Sequence, residues 1–192
     1  GLHYADRGHK EMRVVQDIRT SRSVGEFLAP MGATMTTWKV GRAFASEKLR
    51  EIDALFGGEL AGHFYFKEFF YSDSGMLAAL KVLDVLSRRK SQEATLSSLI
   101  ENIRRYENSG EINFKLERKQ EAMDAVRAHY TSKLKPTAVH DFDGYRIEFD
   151  DWWFNIRQSN TEPYLRLVVE ARSAAELERH TGELRAMIER FA

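Results

Sequence analysis

The stretch Trp152–Ala171, WWFNIRQSNTEPYLRLVVEA, sets two runs rich in β-branched and aromatic residues on either side of a polar segment. Runs of that composition and length read as strands, and the segment between them reads as the loop of a hairpin. Chain reversal alone asks only for Gly, Asn, Asp or Pro. Arg157, Ser159, Asn160 and Thr161 bring in addition a guanidinium, two hydroxyls and a carboxamide. A phosphate asks for a planar charged fork, hydroxyl donors, and backbone amides turned into one concavity. Asn eases the last by tolerating the left-handed conformation. The plainer alternative pairs Arg157 with Glu162 and leaves the hydroxyls to satisfy their own turn.

Outward from this hairpin, YRIEF (145–149) adds a strand joined to the next through Asp150-Asp151, and Asp143-Gly144 reads as a tight turn ahead of it. EINFKL (111–116) reads as a strand, and 117–134 as a helix ended before Pro136. A last helix over 174–191 is opened by Ser173, with Glu176 at the capping-box position. The order strand, helix, three strands, helix predicts an antiparallel sheet with helices packed on one face, an α+β domain over 106–192. Period-two alternation puts one of Trp152 and Trp153 into the core and the other outward.

The first half has another rhythm. MRVVQD (12–17), ATMTTW (33–38) and LFGG (55–58) read as strands. Between them, SVGEFLAPM (23–31) and SEKLREIDA (46–54) read as helices, the second opened by Ser46. FYFKEFFY (64–71) is β-rich, 73–89 is an amphipathic helix capped by Asp73 or Ser74, and a further helix is expected from Ser91 to Tyr106. Strand–helix alternation of this kind predicts an α/β domain over 1–105, a βαβ-type mixed sheet with helices. The break at ENSGE (107–111) separates the two domains, with Tyr106–Glu111 as the expected hinge. His3 and His9 fall in a segment without periodicity that reads as mobile.

Composition narrows the function. Lys and Arg balance Asp and Glu at 29 each, so no basic field for nucleic acid or an anionic membrane exists, and any anion must meet a local site. Cysteine is absent, which excludes disulfides, thiolate metal sites and thiol nucleophiles. His129, His140 and His180 lack metal-ligand spacing. The short apolar runs carry charges at helical spacing, and the first residues do not form a signal peptide, so a cytoplasmic protein is expected.

A second dense stretch is FGGELAGHFYF (56–66), where glycines bracket Glu59 and His63. Backbone of this kind lets a ligand approach closely, and a carboxylate there accepts hydrogen bonds from two neighbouring sugar hydroxyls. The structural alternative is a glycine-rich turn and nothing more.

RQSNTEPYLRLVVEA closely resembles the phosphate-binding loop of the α-D-phosphohexomutases, the phosphomannomutase/phosphoglucomutase group, whose pattern is R-x-S-N-T-E-P followed by a strand. The resemblance implies that Arg157, Ser159, Asn160 and Thr161 grip the phosphate that is not reacting. FGGELAGH resembles that family's sugar-binding loop, G-E-x-S-G-H, with Glu59, Gly62 and His63 at matching positions and Ala61 in place of the usual Ser. VVQDIRTSRSV resembles the strand opening the family's third domain, with Arg19 facing the reaction centre. WKVGRAF resembles a family turn in which Arg42 replaces a His, and a permanently protonated Arg holds phosphate but does not act as a base. The likeness runs from about Met12 onward and covers the third and fourth of the family's four domains.

It implies a protein that interconverts hexose 1-phosphate and hexose 6-phosphate through a phosphoserine and a hexose 1,6-bisphosphate, with the missing N-terminal domains as partners. The phosphoserine loop, T-A-S-H-N-P-like, and the Mg²⁺ loop, D-G-D-x-D-R-like, do not occur in this chain. DFDGYR (141–146) has two aspartates where the metal loop has three, and reads as a turn. The expectation is therefore a chain that binds no metal and turns nothing over alone. The alternative is a stand-alone phosphosugar-binding module.

Overall fold

The computed structural model describes residues 1–89 and 93–192, which form two compact units, Gly1–Arg105 and Tyr106–Ala192. The first two residues of the helix expected over 91–106 lie outside the described residues; the helix observed is shorter, Leu96–Ile103, beginning after its cap Thr95.

In the first unit, strands β1 (Met12–Asp17), β2 (Ala33–Trp38), β3 (Phe56–Gly58), β4 (Phe64–Phe66) and β5 (Ser72–Asp73) lie in the order β2-β1-β3-β4-β5. β1 pairs in parallel with both β2 and β3, while β3-β4-β5 are antiparallel, so the sheet is mixed. The crossovers are α2 (Arg22–Leu28) and α3 (Arg42–Glu51). Val15, Leu49 and Tyr65 form one core cluster, on the α3 side. The opposite cluster holds Tyr4, Met12, Val14 and Phe66, with Leu77 and Ala78 of α4 (Gly75–Arg88) packed against it. Adjacent residues Val14 and Val15 thus serve opposite layers, as strand alternation requires.

Two local readings differ from expectation, and a third choice between two caps is decided. The first residues are ordered: α1 (Leu2–Ala5) buries Tyr4, and His3 Nδ1 lies 2.9 Å from Asp84 on α4. Helix α3 starts at Arg42, and Ser46 sits inside it, donating to the Tyr71 carbonyl at 2.9 Å. At α4 the cap is Ser74, whose hydroxyl accepts from the Leu77 amide; Asp73 ends β5 and binds His63 instead. α5 (Leu96–Ile103) opens on a Thr95–Ser98 capping box.

In the second unit, β6 (Glu107–Asn108), β8 (Ala138–His140), β9 (Tyr145–Glu148), β10 (Trp152–Gln158) and β11 (Leu165–Ala171) lie in the order β6-β11-β10-β9-β8, with β7 (Ile112–Phe114) also on β11. All these pairs are antiparallel. Helices α6 (Lys119–Lys133) and α7 (Ala174–Ile188) cover the face formed by Trp152, Phe154, Ile156, Leu165, Leu167 and Val169. The segment expected to hinge is partly strand, since Glu107 and Asn108 pair with Ala171 and Glu170. β8, after Pro136, was not expected.

Trp152 is the core tryptophan, but Trp153 does not face solvent. It is fully buried on the other face, donates to Glu170 at 2.6 Å and lies under the Arg146 guanidinium. At α7, Ser173 accepts from the Glu176 amide and its hydroxyl donates to the Glu176 carboxylate, a variant of the expected box.

His180 of α7 stacks on Trp152 at 3.6 Å, accepts at Nε2 from Arg179 at 2.8 Å, and has Glu183 3.7 Å from Nδ1. Burial first, and the Arg179 charge second, push its pKa below the ordinary value, against the pull of Glu183 and Glu176. A depressed histidine pKa means the unfolded chain takes the proton first, so stability is lost as pH falls below about 6.5. Urea unfolding of the second unit at pH 7.5 and 5.5 should show this loss, and His180→Phe, which keeps the stacking, should show less of it. An identical loss in the variant would assign the effect elsewhere.

Candidate functional site

Two crossovers carry β2 to one side of β1 and β3 to the other, and the carboxyl ends of β1 and β3 meet at that divergence. Open α/β sheets hold their ligands outside such ends. Asp17 and Arg19 follow from β1 here, and Glu59 from β3.

Asp17, with no exposed side-chain surface, organises this corner. Its Oδ1 accepts from the Arg19 amide (2.9 Å) and the Thr20 hydroxyl (3.0 Å). Its Oδ2 accepts from Arg19 Nε (3.1 Å), Arg19 Nη2 (2.6 Å) and the Leu60 amide (3.1 Å). One carboxylate thereby ties the loop bearing Arg19 to the loop bearing Glu59. Arg19 Nη2 lies 3.9 Å from Glu59 Oε2, so these two expected residues are brought together.

The loop Glu59–His63 closes the β3–β4 hairpin. The Glu59 amide donates to the His63 carbonyl at 2.9 Å and the Gly62 amide to the Glu59 carbonyl at 3.0 Å. Gly62 has φ +85° at an open position, so the turn's conformation selects glycine. Glu59 is buried and accepts from the Tyr65 hydroxyl at 2.6 Å. Burial first, and the Glu59 carboxylate next, hold the Tyr65 phenol far above its ordinary pKa, so it stays a donor at any working pH.

His63 is half-exposed and lies 2.6 Å from Asp73, whose other oxygen accepts from the Phe64 amide at 2.9 Å. Burial opposes the Asp73 charge, but His63 and that amide outweigh it and keep the carboxyl below its usual range. Arg42, exposed at the first turn of α3, adds its positive charge to both Asp73 and Tyr65. A groove of about 740 Å³, walled by apolar side chains such as Val24, Phe27, Leu28, Val82, Leu99 and Ile100, opens beside this corner and shares Gln16, Thr20, Gly58, Glu59 and Leu60 with it. Its walls are apolar, so the charged loops are the better candidate for a polar ligand.

In the second unit, Arg157 is the last residue but one of β10, and Ser159–Tyr164 make the reversal, closed by the Ser159 amide on the Tyr164 carbonyl (2.9 Å). Arg157 does not pair with Glu162. Its Nε lies 3.1 Å from Asp143, and Glu162 pairs with Arg166. The Arg157 side chain is 2% exposed, and its Nη2 has no hydrogen-bond partner among the described residues. The Ser159 hydroxyl accepts from the Thr161 and Glu162 amides, at 3.4 and 3.2 Å, while Asn160 and Thr161 are exposed.

Sequence reading missed Asp17, Tyr65, Asp73 in its role beside His63, and Asp143 beside Arg157. Only Tyr65 had a local signal, six residues past Glu59 across a short hairpin. Among the described residues, no three of His, Asp, Glu and Cys converge as metal ligands, and Asp143 of the DFDG segment is engaged by Arg157. No described helix is long and apolar enough to cross a membrane.

Comparison with known proteins adds independent findings. Residues 2–106 match the family model of phosphoglucomutase/phosphomannomutase alpha/beta/alpha domain III, and residues 111–187 match that of the phosphoglucomutase/phosphomannomutase C-terminal domain. The chain is 40% identical over 174 residues to a protein of Xanthomonas campestris pv. campestris (strain B100) named phosphohexose mutases, covering 90% of this chain and 38% of that protein. It is 35% identical over 176 residues to a phosphomannomutase of Methanocaldococcus jannaschii, covering 92% of this chain and 38% of the relative. The crystal structure of a phosphoglucomutase/phosphomannomutase family protein from Burkholderia thailandensis superposes with a TM-score of 0.81 at 26% identity, over 98% of this chain and 39% of that one. The chain thus spans well under half the length of these relatives. With both of its units matched by family models in sequence, it belongs to the phosphoglucomutase/phosphomannomutase family, of which it carries domain III and the C-terminal domain.

Proposed function

We propose that this chain supplies the sugar contacts and the distal-phosphate contacts of a phosphohexomutase acting on mannose or glucose phosphates. Glu59 and His63 would take the sugar hydroxyls, with Gly62 shaping their loop, and Arg157, Ser159, Asn160 and Thr161 would hold the phosphate that does not react. Arg19 and Arg42 would face the reacting phosphate. The observation that carries this reading is the state of Arg157. It is buried, is relieved of its neighbouring carboxylate by Arg166, and keeps a terminal nitrogen, Nη2, that no atom of the described residues satisfies. A buried charged donor in that condition is costly until an acceptor arrives, and a phosphate oxygen is such an acceptor.

In the reaction so read, a phosphoserine gives its phosphoryl group to the free O1 of a hexose 6-phosphate. The resulting 1,6-bisphosphate returns the O6 phosphoryl group to the serine. The serine, and Mg²⁺ to withdraw charge from the phosphoryl oxygens, would come from domains outside these 192 residues. The residues described here do not fit a metal, and no step is assigned to one through them. This chain's part is binding, orientation and charge. Arg42 in particular offers fixed positive charge and no proton acceptor.

The test is an assay of mannose 1-phosphate and mannose 6-phosphate interconversion with this chain and with the protein extended upstream as its gene encodes. Turnover is expected only in the extended protein, and Arg157→Ala there should lower kcat/KM at least tenfold, as the loss of a charge-assisted hydrogen bond requires. An extended protein that binds mannose 6-phosphate without converting it would favour a phosphosugar-binding module instead.

A further inference from the structure

We propose that Asp143 is a positioning residue for anion binding, which fixes Arg157 at Nε and so leaves the terminal nitrogen Nη2 for a phosphate monoester. This deepens the reading of Arg157 given above and rests on it. Asp143 Oδ1 lies 3.1 Å from Arg157 Nε, with 13% and 2% of the two side chains exposed. The turn that carries Asp143 is built against its partner: at Gly144, φ is +68°, and a Cβ would stand 2.7 Å from Arg157 Cα and 2.5 Å from Arg157 Cβ. The carboxylate is thus presented from backbone that touches the residue it holds.

The terminal nitrogen Nη2, beside Nε, is the part left over. Nη2 is buried and has no hydrogen-bond partner among the described residues, and Glu162, the carboxylate nearest in sequence, is bound to Arg166. Arginine loses much side-chain freedom when it is ordered, so a clamp made before the ligand arrives lowers the cost of binding. A carboxylate on one edge also orients the planar fork, because the N–H directions of a guanidinium are fixed relative to one another. Of the two acidic residues in Asp141–Gly144, Asp143 alone makes this contact with Arg157 among the described hydrogen bonds.

The experiment is an amide-shift titration of this chain with mannose 6-phosphate, and with mannose as the unphosphorylated control. It compares wild type, Asp143→Asn, Arg157→Lys and the double variant. Asp143→Asn should weaken mannose 6-phosphate about tenfold, leave mannose unchanged, and add nothing in the Arg157→Lys background. The Arg157 Nε–H signal, protected from exchange in the wild type, should lose that protection in Asp143→Asn. Asp143→Ser replaces Asp143→Asn should the latter fail to give a folded spectrum. Equal weakening in both backgrounds, or none in either, while Arg157→Lys itself still weakens mannose 6-phosphate, overturns the clamp and leaves the phosphate reading standing. No phosphate effect in the wild type, or one that Arg157→Lys leaves intact, overturns that reading and the clamp with it.

Discussion

Asp17→Ala should cost the first unit about 3–5 kcal/mol, the range for removing one partner of a buried ion pair. The carboxylate accepts five hydrogen bonds from Arg19, Thr20 and Leu60 and has no exposed side-chain surface. Its loss leaves the Arg19 guanidinium, 5% exposed as a residue, without its main acceptor, and Glu59 at 3.9 Å is too far to take over unmoved. The Leu60 amide is released at the same time, so the loop with Glu59 should loosen. Urea unfolding followed through amide signals of each unit separates the effects, since the second unit should hold its midpoint. A loss below about 1 kcal/mol would mean that water or Glu59 replaces the carboxylate.

Gly144→Ala should destabilise the second unit by roughly 2–4 kcal/mol, combining overpacking with a backbone conformation that L side chains rarely adopt. The added Cβ would collide with the Ile156 carbonyl and stand 2.7 Å from Arg157 Cα. Ile156 and Arg157 lie in β10, the strand paired with β9 and β11 in the middle of the sheet, so neither can retreat without straining the ladder. Thermal unfolding should show the second unit melting well before its wild-type temperature while the first is unmoved. A near-neutral result would show that the 141–144 turn can change its conformation, and would weaken the account of how Asp143 reaches Arg157.

The longer strands were legible because they serve two layers: Val14 and Val15 belong to opposite cores, and Trp152, Phe154 and Ile156 line one face, whereas the short edge strands β6 and β8 carry no such pattern. Helix starts were less so. Ser46 is a good cap residue, yet α3 begins at Arg42 after Gly41, with φ +129° and no side-chain cap, which leaves no signature. Trp153 was misjudged because its face of the sheet is also buried, with Arg146 and Glu170 as polar partners. Periodicity tells faces apart but does not say that the second one is wet. In the candidate site, the groups that bear the motifs could be read from their own order. The groups that hold them could not, because Asp17 meets Leu60, Asp73 meets His63, and Asp143 meets Arg157 only through strand pairing and turns.

The most direct measurement is a backbone-amide titration of the wild-type chain with mannose 6-phosphate beside free mannose. A partial site should bind with Kd of roughly 0.1–10 mM, a few kcal/mol. The account predicts phosphate-dependent shifts at Arg157, Ser159, Asn160 and Thr161, with smaller ones at Glu59, Gly62 and His63 that mannose partly reproduces. Shifts absent at millimolar mannose 6-phosphate, or confined to residues outside both loops, would contradict it.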